Sequence, residues 1–566
     1  MIKLKTILVL IGMVSLLTGA LTAPRQLSVR VGIGSPVLAN GISVATLYSG
    51  YWTPPEGIIP PSHSDLITDF DPLQTTFPWM YDTVTNRADI LAELARLQTE
   101  WGTEAQKTAA TMDNTFYVDW DTGDNGDDGL SSGNAWKDLL YAVNYVITNH
   151  DGEGTEILLM DGVQYLPTNA GDEGTGDPPG GAATVRITNW SGTAIDPMVI
   201  RSDSGNREDC IVRIDHVWLA NNFDYFKADT YETNCGIQIT GTTEYVEFWD
   251  FTVVGPVFEA PQWHLGGDTV GIASIGWSGT QGTVDIINVE TAQWSHCGFK
   301  GVGLNIYGSL VIGNGSGGGG APGATDHGIY VSDNSDTGII EGCVIINNYG
   351  EGANPRTGTM LDQVIRGNVI ANNGDFGLHV GGLYTIVENN VLRNNNSGGM
   401  QWGGEAAGLL FRNNAIYEDN IDLQGKPPDT YLRAIGFTWT TNAALIGETP
   451  DSLPTIAPWL QLTDIDKPSD VQNAGNNYFY RNGTDNVTTG TSAPVHTSGE
   501  VTDGSVLWQW VNASGAETTG TFTTIDSADF NDFAAFDHRP ATVSDLKLNG
   551  TEYGHGTTIG AHNASP

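Results

Sequence analysis

A short pattern, glycine–apolar–any–apolar, recurs through the middle of the chain and restricts its fold more than any other feature. It occurs as Gly236-Ile237-Gln238-Ile239, Gly328-Ile329-Tyr330-Val331, Gly377-Leu378-His379-Val380 and Gly399-Met400-Gln401-Trp402, with weaker copies from Gly271, Gly298 and Gly352. Successive copies are 35, 27, 30, 24, 25 and 22 residues apart. A second pattern runs between them: Arg366-Gly367-Asn368-Val369-Ile370, Glu388-Asn389-Asn390-Val391-Leu392 and Arg412-Asn413-Asn414-Ala415-Ile416 share one frame. Glu341-Gly342-Cys343-Val344-Ile345 fits it with cysteine in the asparagine slot. Two strand signals on one period mean that the chain returns to the same place every ~22–30 residues. The result is a β-solenoid, whose coils bury apolar side chains and bond backbone to backbone with the next coil. Asn368, Asn390 and Asn414 are then expected to stack as an amide ladder, with Cys343 buried and inert in the same slot. Leucine-rich and helical repeats lack support here, and a propeller needs a period of ~40–50 residues.

Composition agrees with a turn-rich β protein and narrows the partners. The 566 residues include 72 Gly, and 39% are hydrophobic, enough to build a core. Asp and Glu number 66 against 24 Lys and Arg, a formal net charge of −42. So acidic a chain repels nucleic acid over most of its surface. Four cysteines, Cys210, Cys235, Cys297 and Cys343, contain no CxxC spacing, which argues against a zinc site. They allow three full pairings; Cys210–Cys235 is one that the sequence permits without selecting it.

Residues 1–23 have the form of a secretory signal. Lys3 and Lys5 precede the apolar run Thr6–Leu17, and Thr18-Gly19-Ala20 offers small residues for cleavage. The run is short for a membrane span, which needs ~20 residues. No later segment has the length and apolarity to cross a bilayer. An extracellular or cell-surface location follows, with a virion as the alternative.

At this point a resemblance can be stated. His327-Gly328-Ile329-Tyr330-Val331 followed by Gly342-Cys343-Val344-Ile345-Ile346-Asn347-Asn348 resembles the parallel β-helix repeat of pectate-lyase-like proteins. Phe116-Tyr117-Val118-Asp119, Gly126-Asp127-Asp128-Gly129 and Ala135-Trp136-Lys137 resemble the opening of such helices, and Ile157–Tyr165 their first full coil. Asp537-His538-Arg539-Pro540 and Thr558-Ile559-Gly560-Ala561 are similar to a tail found in bacterial members. The resemblance implies an all-β fold: a right-handed, single-stranded parallel β-helix with an N-terminal extension and a small C-terminal β module. It is specific for fold and not for activity, because the family holds lyases, hydrolases, epimerases and pure binders.

The expected organisation is a signal at 1–23, an extension at 24–112, the β-helix at 113–445, a linker at 446–470, a small β module at 471–530 and a tail at 531–566 packing on the helix. In the extension, Ile90, Leu91, Leu94 and Leu97 share one side of an amphipathic helix that could cap the open end or join chains. Asp138–Thr148 suits a short helix plugging the first coil. The stretch Asn477–Trp508 is similar to a small β module of phage tail fibres and spikes, which implies a homotrimer if the protein belongs to a virion.

Candidate chemistry follows from strand alternation. If Ile329 and Val331 point inward, Tyr330 points outward, and the same slot on other coils holds Gln238, Ala273, Lys300, Asn354, His379 and Gln401. Coils ~4.8 Å apart turn that slot into a linear row. His296, Asp326 and Asp375 lie four residues before the slot and Arg356 two after it. His327 has the opposite parity and is expected in a turn or the core. A polar, partly basic row suits an extended acidic polysaccharide. β-Elimination would use Lys300 or Arg356 to neutralise a uronate carboxylate and His379, Tyr330 or Lys300 as base. Hydrolysis would use Asp326 and Asp375, two coils and ~10 Å apart. His296, Asn354, Gln401 and Trp402 complete the expected substrate contacts. Trp249, Trp263, Trp277 and Trp294 are further candidates for sugar stacking, with core packing as the alternative. Asp119, Asp121, Asp124, Asp127 and Asp128 could hold one Ca²⁺, although the spacing is not that of an EF-hand. No organic cofactor is expected. A glycan-binding protein without catalysis accounts for the same row.

Overall fold

In a computed structural model the repeat is a solenoid. The structure describes residues 87–101, 112–166, 185–214, 234–255, 269–277, 283–294, 296–315, 327–331, 338–355, 363–380, 385–395, 398–402, 410–412, 414–418, 433–437, 478–481, 487–489, 530–532, 536–540 and 561. The expected signal, linker and most of the small β module lie outside them. Three ten-stranded sheets run the length of the coil, and every strand pair within them is parallel. Among the described residues, sheet 1 runs from Asn114–Val118 to Leu410–Arg412, sheet 2 from Gly162–Leu166 to Tyr478–Arg481 and sheet 3 from Val185–Thr188 to Val487–Thr489, and from Thr155 to Phe437 the chain passes through them in that order, coil after coil. Parallel strands joined through such returns wind right-handedly, so the fold is a right-handed parallel β-helix.

Register explains the core. On sheet 1, Phe116, Ile157, Ile200, Phe248, Ile286, Ile306, Ile340, Ile365 and Val387 are successive partners, all buried. A one-residue slip would turn this column outward, so stacking like on like fixes the register. At the N-terminal end, helix α1 (Arg87–Glu100) and helix α2 (Leu139–Asn149) have separate tasks. Asp138 caps α2 by accepting the Tyr141 N–H at 2.7 Å. Leu139, Ala142, Val143 and Val146 then join Phe116 and Trp136 in the solenoid core, as the expected plug does.

α1 lies elsewhere than expected. It covers the flank of the solenoid rather than its open end. Ile90, Leu94, Leu97 and Trp101 pack on the outward side chains of sheet 2, among them Leu310, Ile312, Val344, Ile346, Val369 and Val391. Where α1 and the tail cover it, sheet 2 is apolar on both faces, and strands there read as unbroken apolar runs, Leu310-Val311-Ile312 and Val344-Ile345-Ile346 for example. Phe536 and Ala561 of the tail share this cluster, so the tail packs against α1 and sheet 2 together.

Two further expectations change. Strands Tyr478–Arg481 and Val487–Thr489 pair in parallel with Ala415–Glu418 and Arg433–Phe437, so the coil continues beyond 445 into the expected module. Cys210 and Cys235 do not pair. Cys210 faces the interior from sheet 2, whereas Cys235 lies on the outward side of sheet 3 with Cys297. All four cysteines are buried and outside any disulfide. Among the described residues no helix is long and apolar enough to cross a membrane.

Candidate functional site on the outward face of sheet 3

The slot row is present. Gln238, Ala273, Lys300, Tyr330 and Asn354 are consecutive partners across sheet 3, and Arg186 extends the row below Gln238. Ala353 pairs with Leu378, which puts Asn354 beside His379, and His379 pairs with Gln401. The row is not an open groove: Lys300, Asn354 and His379 are 8%, 4% and 2% exposed. Asp326 and Arg356 lie outside the described residues, as do the side chains of Gln401 and Trp402.

The glycine of each repeat changes the geometry that simple alternation predicts. Gly298, Gly328, Gly352 and Gly377 sit against the amides of Asn314, Asn348, Asn373 and Asn395, where a Cβ would collide. The chain dips inward at that glycine. The residue before it and the residue two after it therefore share the outward face. Cys235, Val270 and Cys297, each preceding a glycine, accordingly cluster with Ala273 and Tyr330 from the slot. His327 precedes Gly328, so it belongs to the outward face and not to a turn or the core. Its ring stacks on Tyr330 with centroids 5.3 Å apart and planes 22° from parallel. Glu351 precedes Gly352 in the same way, and alternation had passed over it.

Glu351 is the centre of the cluster. Its Oε1 lies 2.5 Å from Nδ1 of His379, and its Oε2 lies 3.1 Å from Nδ1 of His327. Asn354 Nδ2 donates to Glu351 Oε2 and lies 3.2 Å from His327 Nε2. Glu351, His327 and His379 are each 2% exposed. One coil from His327, Lys300 Nζ lies 3.4 Å from His296 Nε2 and 5.6 Å from the Tyr330 ring centre. A cation, a phenol, three imidazoles and a carboxylate thus meet on neighbouring coils of one sheet. Such a set can neutralise an anionic group and move a proton beside it.

The remaining candidates fall outside this cluster. Asp375 is half-buried, and its backbone N–H donates to Gly350 O at 3.0 Å. With Asp326 undescribed, the carboxylate that joins the cluster is Glu351. Trp294 is core, and Trp249 lies on the outward side of sheet 1, its indole N–H donating to Glu247 at 3.0 Å. The aspartates of 119–128 mostly bond their own loop. Asp119 Oδ1 accepts from Asp121 N at 2.9 Å, Asp124 Oδ1 from Gly126 N at 2.8 Å and Asp128 Oδ1 from Leu130 N at 3.1 Å. These bonds shape the loop that seats Trp136 on Phe116, with ring centres 4.8 Å apart. Among the described residues, no group of three or more His, Cys, Asp or Glu is placed to hold a metal ion.

No protein-family model and no curated protein matches the chain. Solved structures do resemble it. The pectate lyase Pel9A aligns over 83% of this chain and 100% of its own, at 13% identity and a TM-score of 0.45. An alginate lyase from Paenibacillus sp. str. FPU-7 covers 57% of this chain and 91% of its own, at 14% identity and a TM-score of 0.36. The A-module of the mannuronan C-5 epimerase AlgE6 from Azotobacter vinelandii covers 54% of this chain and 82% of its own, at 14% identity and a TM-score of 0.31. Likeness at these identities is a likeness of fold.

Proposed function

We propose that this β-helix is an exported protein that binds an acidic polysaccharide along the outward face of sheet 3 and cleaves it by β-elimination. The observation that supports this reading is the register of Lys300, Tyr330, Asn354 and His379 on four consecutive coils, with Glu351 and His327 among them. Coil spacing of ~4.8 Å is commensurate with a sugar chain laid parallel to the solenoid axis. Lys300 meets the uronate carboxylate, which acidifies the proton at C5. His379 or Tyr330 takes that proton, the bond from C4 to the glycosidic oxygen breaks, and a C4=C5 double bond forms. The departing oxygen takes up a proton and becomes a new hydroxyl. Elimination is preferred to hydrolysis because the carboxylate that the described residues bring into the cluster, Glu351, is engaged by two imidazoles. A two-carboxyl hydrolysis needs a second acid at a set distance.

The test is absorbance at ~235 nm, where the unsaturated uronate absorbs, with alginate, pectate and glycosaminoglycans as substrates. Ca²⁺ is supplied and then withdrawn with chelator, to test the aspartate stretch 119–128 as well. A rise that falls at least ~100-fold in Lys300→Ala and in His379→Ala is expected, the usual scale for losing a general acid–base group. No rise and no new reducing ends on any substrate would remove the enzyme and leave a glycan-binding protein.

A further inference from the structure

The cluster holds three imidazoles, and its hydrogen bonds do not treat them alike. The amide of Asn354 fixes the first assignment. Nδ2, a donor, must be the atom that faces the Glu351 carboxylate, because the amide oxygen there would meet another acceptor. The same nitrogen lies 3.2 Å from His327 Nε2, which must then accept and carry no proton. His327 is left as the neutral tautomer with its hydrogen on Nδ1, 3.1 Å from Glu351 Oε2 and off the axis of an ideal bond. Lys300 fixes the second assignment. An ammonium only donates, so His296 Nε2, 3.4 Å away, accepts and is also unprotonated. His379 differs: its Nδ1 meets Glu351 Oε1 at 2.5 Å, and a buried carboxylate at that distance favours the imidazolium.

We infer that Glu351 is the positioning residue of this site, holding His379 as the one titrating imidazole while His327 and His296 stay neutral with their protons on Nδ1. With Nδ1 of His379 committed to Glu351, proton exchange falls to Nε2, which is itself buried. Glu351 acts through His379 and does not itself touch the reacting atoms. Among the described residues, the titratable groups that meet the Glu351 carboxylate are His327 and His379; the neutral Asn354 amide donates to it from the same coil, and Tyr330 stacks on His327. Lys300 and His296 stand one coil beyond Tyr330. The inference deepens the acid–base reading given above and rests on it for its chemical purpose. Its test needs no substrate.

The experiment is long-range ¹H–¹⁵N NMR of the imidazoles in the ¹⁵N-labelled full chain between pH 5 and 9. Assignments come from His296→Gln, His327→Gln and His379→Gln. Of the three rings only His379 is expected to titrate, with His327 and His296 showing the Nδ1–H pattern throughout. In Glu351→Gln the His379 midpoint is expected to move down by about 1–3 pH units. The acid limb of the pH profile of any elimination activity should follow it, and Glu351→Asp should retain part of the shift. Titration of His327 or His296 to the cation in the parent protein overturns the inference. So does an unmoved His379 midpoint in a Glu351→Gln variant whose circular dichroism matches the parent. Should that variant not fold, the tautomer pattern of the parent decides alone. Absence of cleavage on every glycan, with the pattern intact, would sink the elimination reading and leave the roles of Glu351 and the three rings standing.

Discussion

In Asn347-Asn348, Asn372-Asn373 and Asn394-Asn395 the first residue turns the chain and the second stacks. The first takes φ of 58°, 53° and 50°, the left-handed region that asparagine tolerates better than most residues. The second joins a buried ladder from Asn314 through Asn348 and Asn373 to Asn395, each Oδ1 accepting a backbone N–H of the coil before it at 3.1–3.2 Å. Asn368, Asn390 and Asn414 form the parallel ladder read from the sequence, and Cys343 opens it by donating its backbone N–H to Asn368 Oδ1 at 2.9 Å. Burial pushes the Cys343 thiol up to about 12. Its Sγ reaches toward Ile306 O and Ser309 N, the partners an asparagine amide would take. Cys343→Asn is therefore expected to leave stability unchanged or raise it by about 1 kcal/mol, one added net hydrogen bond. Asn368→Ala, which strands Cys343 N and Ile340 O, should cost about 1–3 kcal/mol per orphaned group. Urea melts of the two variants decide it, and a loss above ~2 kcal/mol in Cys343→Asn would refute the equivalence. The ladder of Asn368, Asn390 and Asn414 was legible because a period aligns like residues. Glu351 and the outward face of His327 were not, because strict alternation ignores the inward dip at each glycine. The signal was present in the residue before the glycine, histidine at 327 and glutamate at 351, once those positions are lined up.

At the scale of elements, α1 and the tail hold one flank of the solenoid jointly. The Trp101 indole N–H donates to Ala561 O at 2.7 Å, and its ring covers Gly367, which has φ of +65°. Glu93, fully buried on α1, accepts from the His538 backbone at 3.2 Å, lies 3.0 Å from its Nδ1 and pairs with Arg96 at 2.6 Å. Removing the large side chain leaves both a cavity and an unpaired carbonyl. Trp101→Ala is expected to cost about 3–5 kcal/mol, the range for a buried aromatic. Limited proteolysis should then cut within 87–101 and 536–561 before it cuts the coils. Equal protection of both terminal elements in the variant and the parent would show that the solenoid holds them without Trp101. The helix itself was legible from Ile90, Leu94 and Leu97, but its seat was not. An apolar stripe states that a helix must be covered and leaves open by what. The unbroken apolar runs of sheet 2, such as Val344-Ile345-Ile346, mark strands covered on both faces, but which element covers them is a tertiary fact.

Across the whole molecule, the excess of 66 acidic over 24 basic residues acts in two ways. Like charges repel through the folded chain and lower its stability, a long-range effect that salt screens as the Debye length falls from ~30 Å at 0.01 M to ~8 Å at 0.15 M. The same field opposes approach of any polyanion, including the acidic glycan proposed for sheet 3. Short contacts made by enclosed groups such as Lys300, 8% exposed, are screened far less. Raising NaCl over that interval should therefore raise Tm, and should raise kcat/KM for an anionic polysaccharide through faster encounter while leaving kcat nearly constant. A surface built to attract its substrate would show the reverse, kcat/KM falling steeply with salt. Thermal melts and initial rates at 0.01, 0.05 and 0.15 M NaCl separate the cases. A Tm that does not rise would mean that local ion pairs such as Arg201–Glu156, at 2.5 Å, outweigh the net repulsion. A fall in kcat/KM would mean that the path to sheet 3 is lined by cations beyond Lys300, and the search for the substrate's route would begin there.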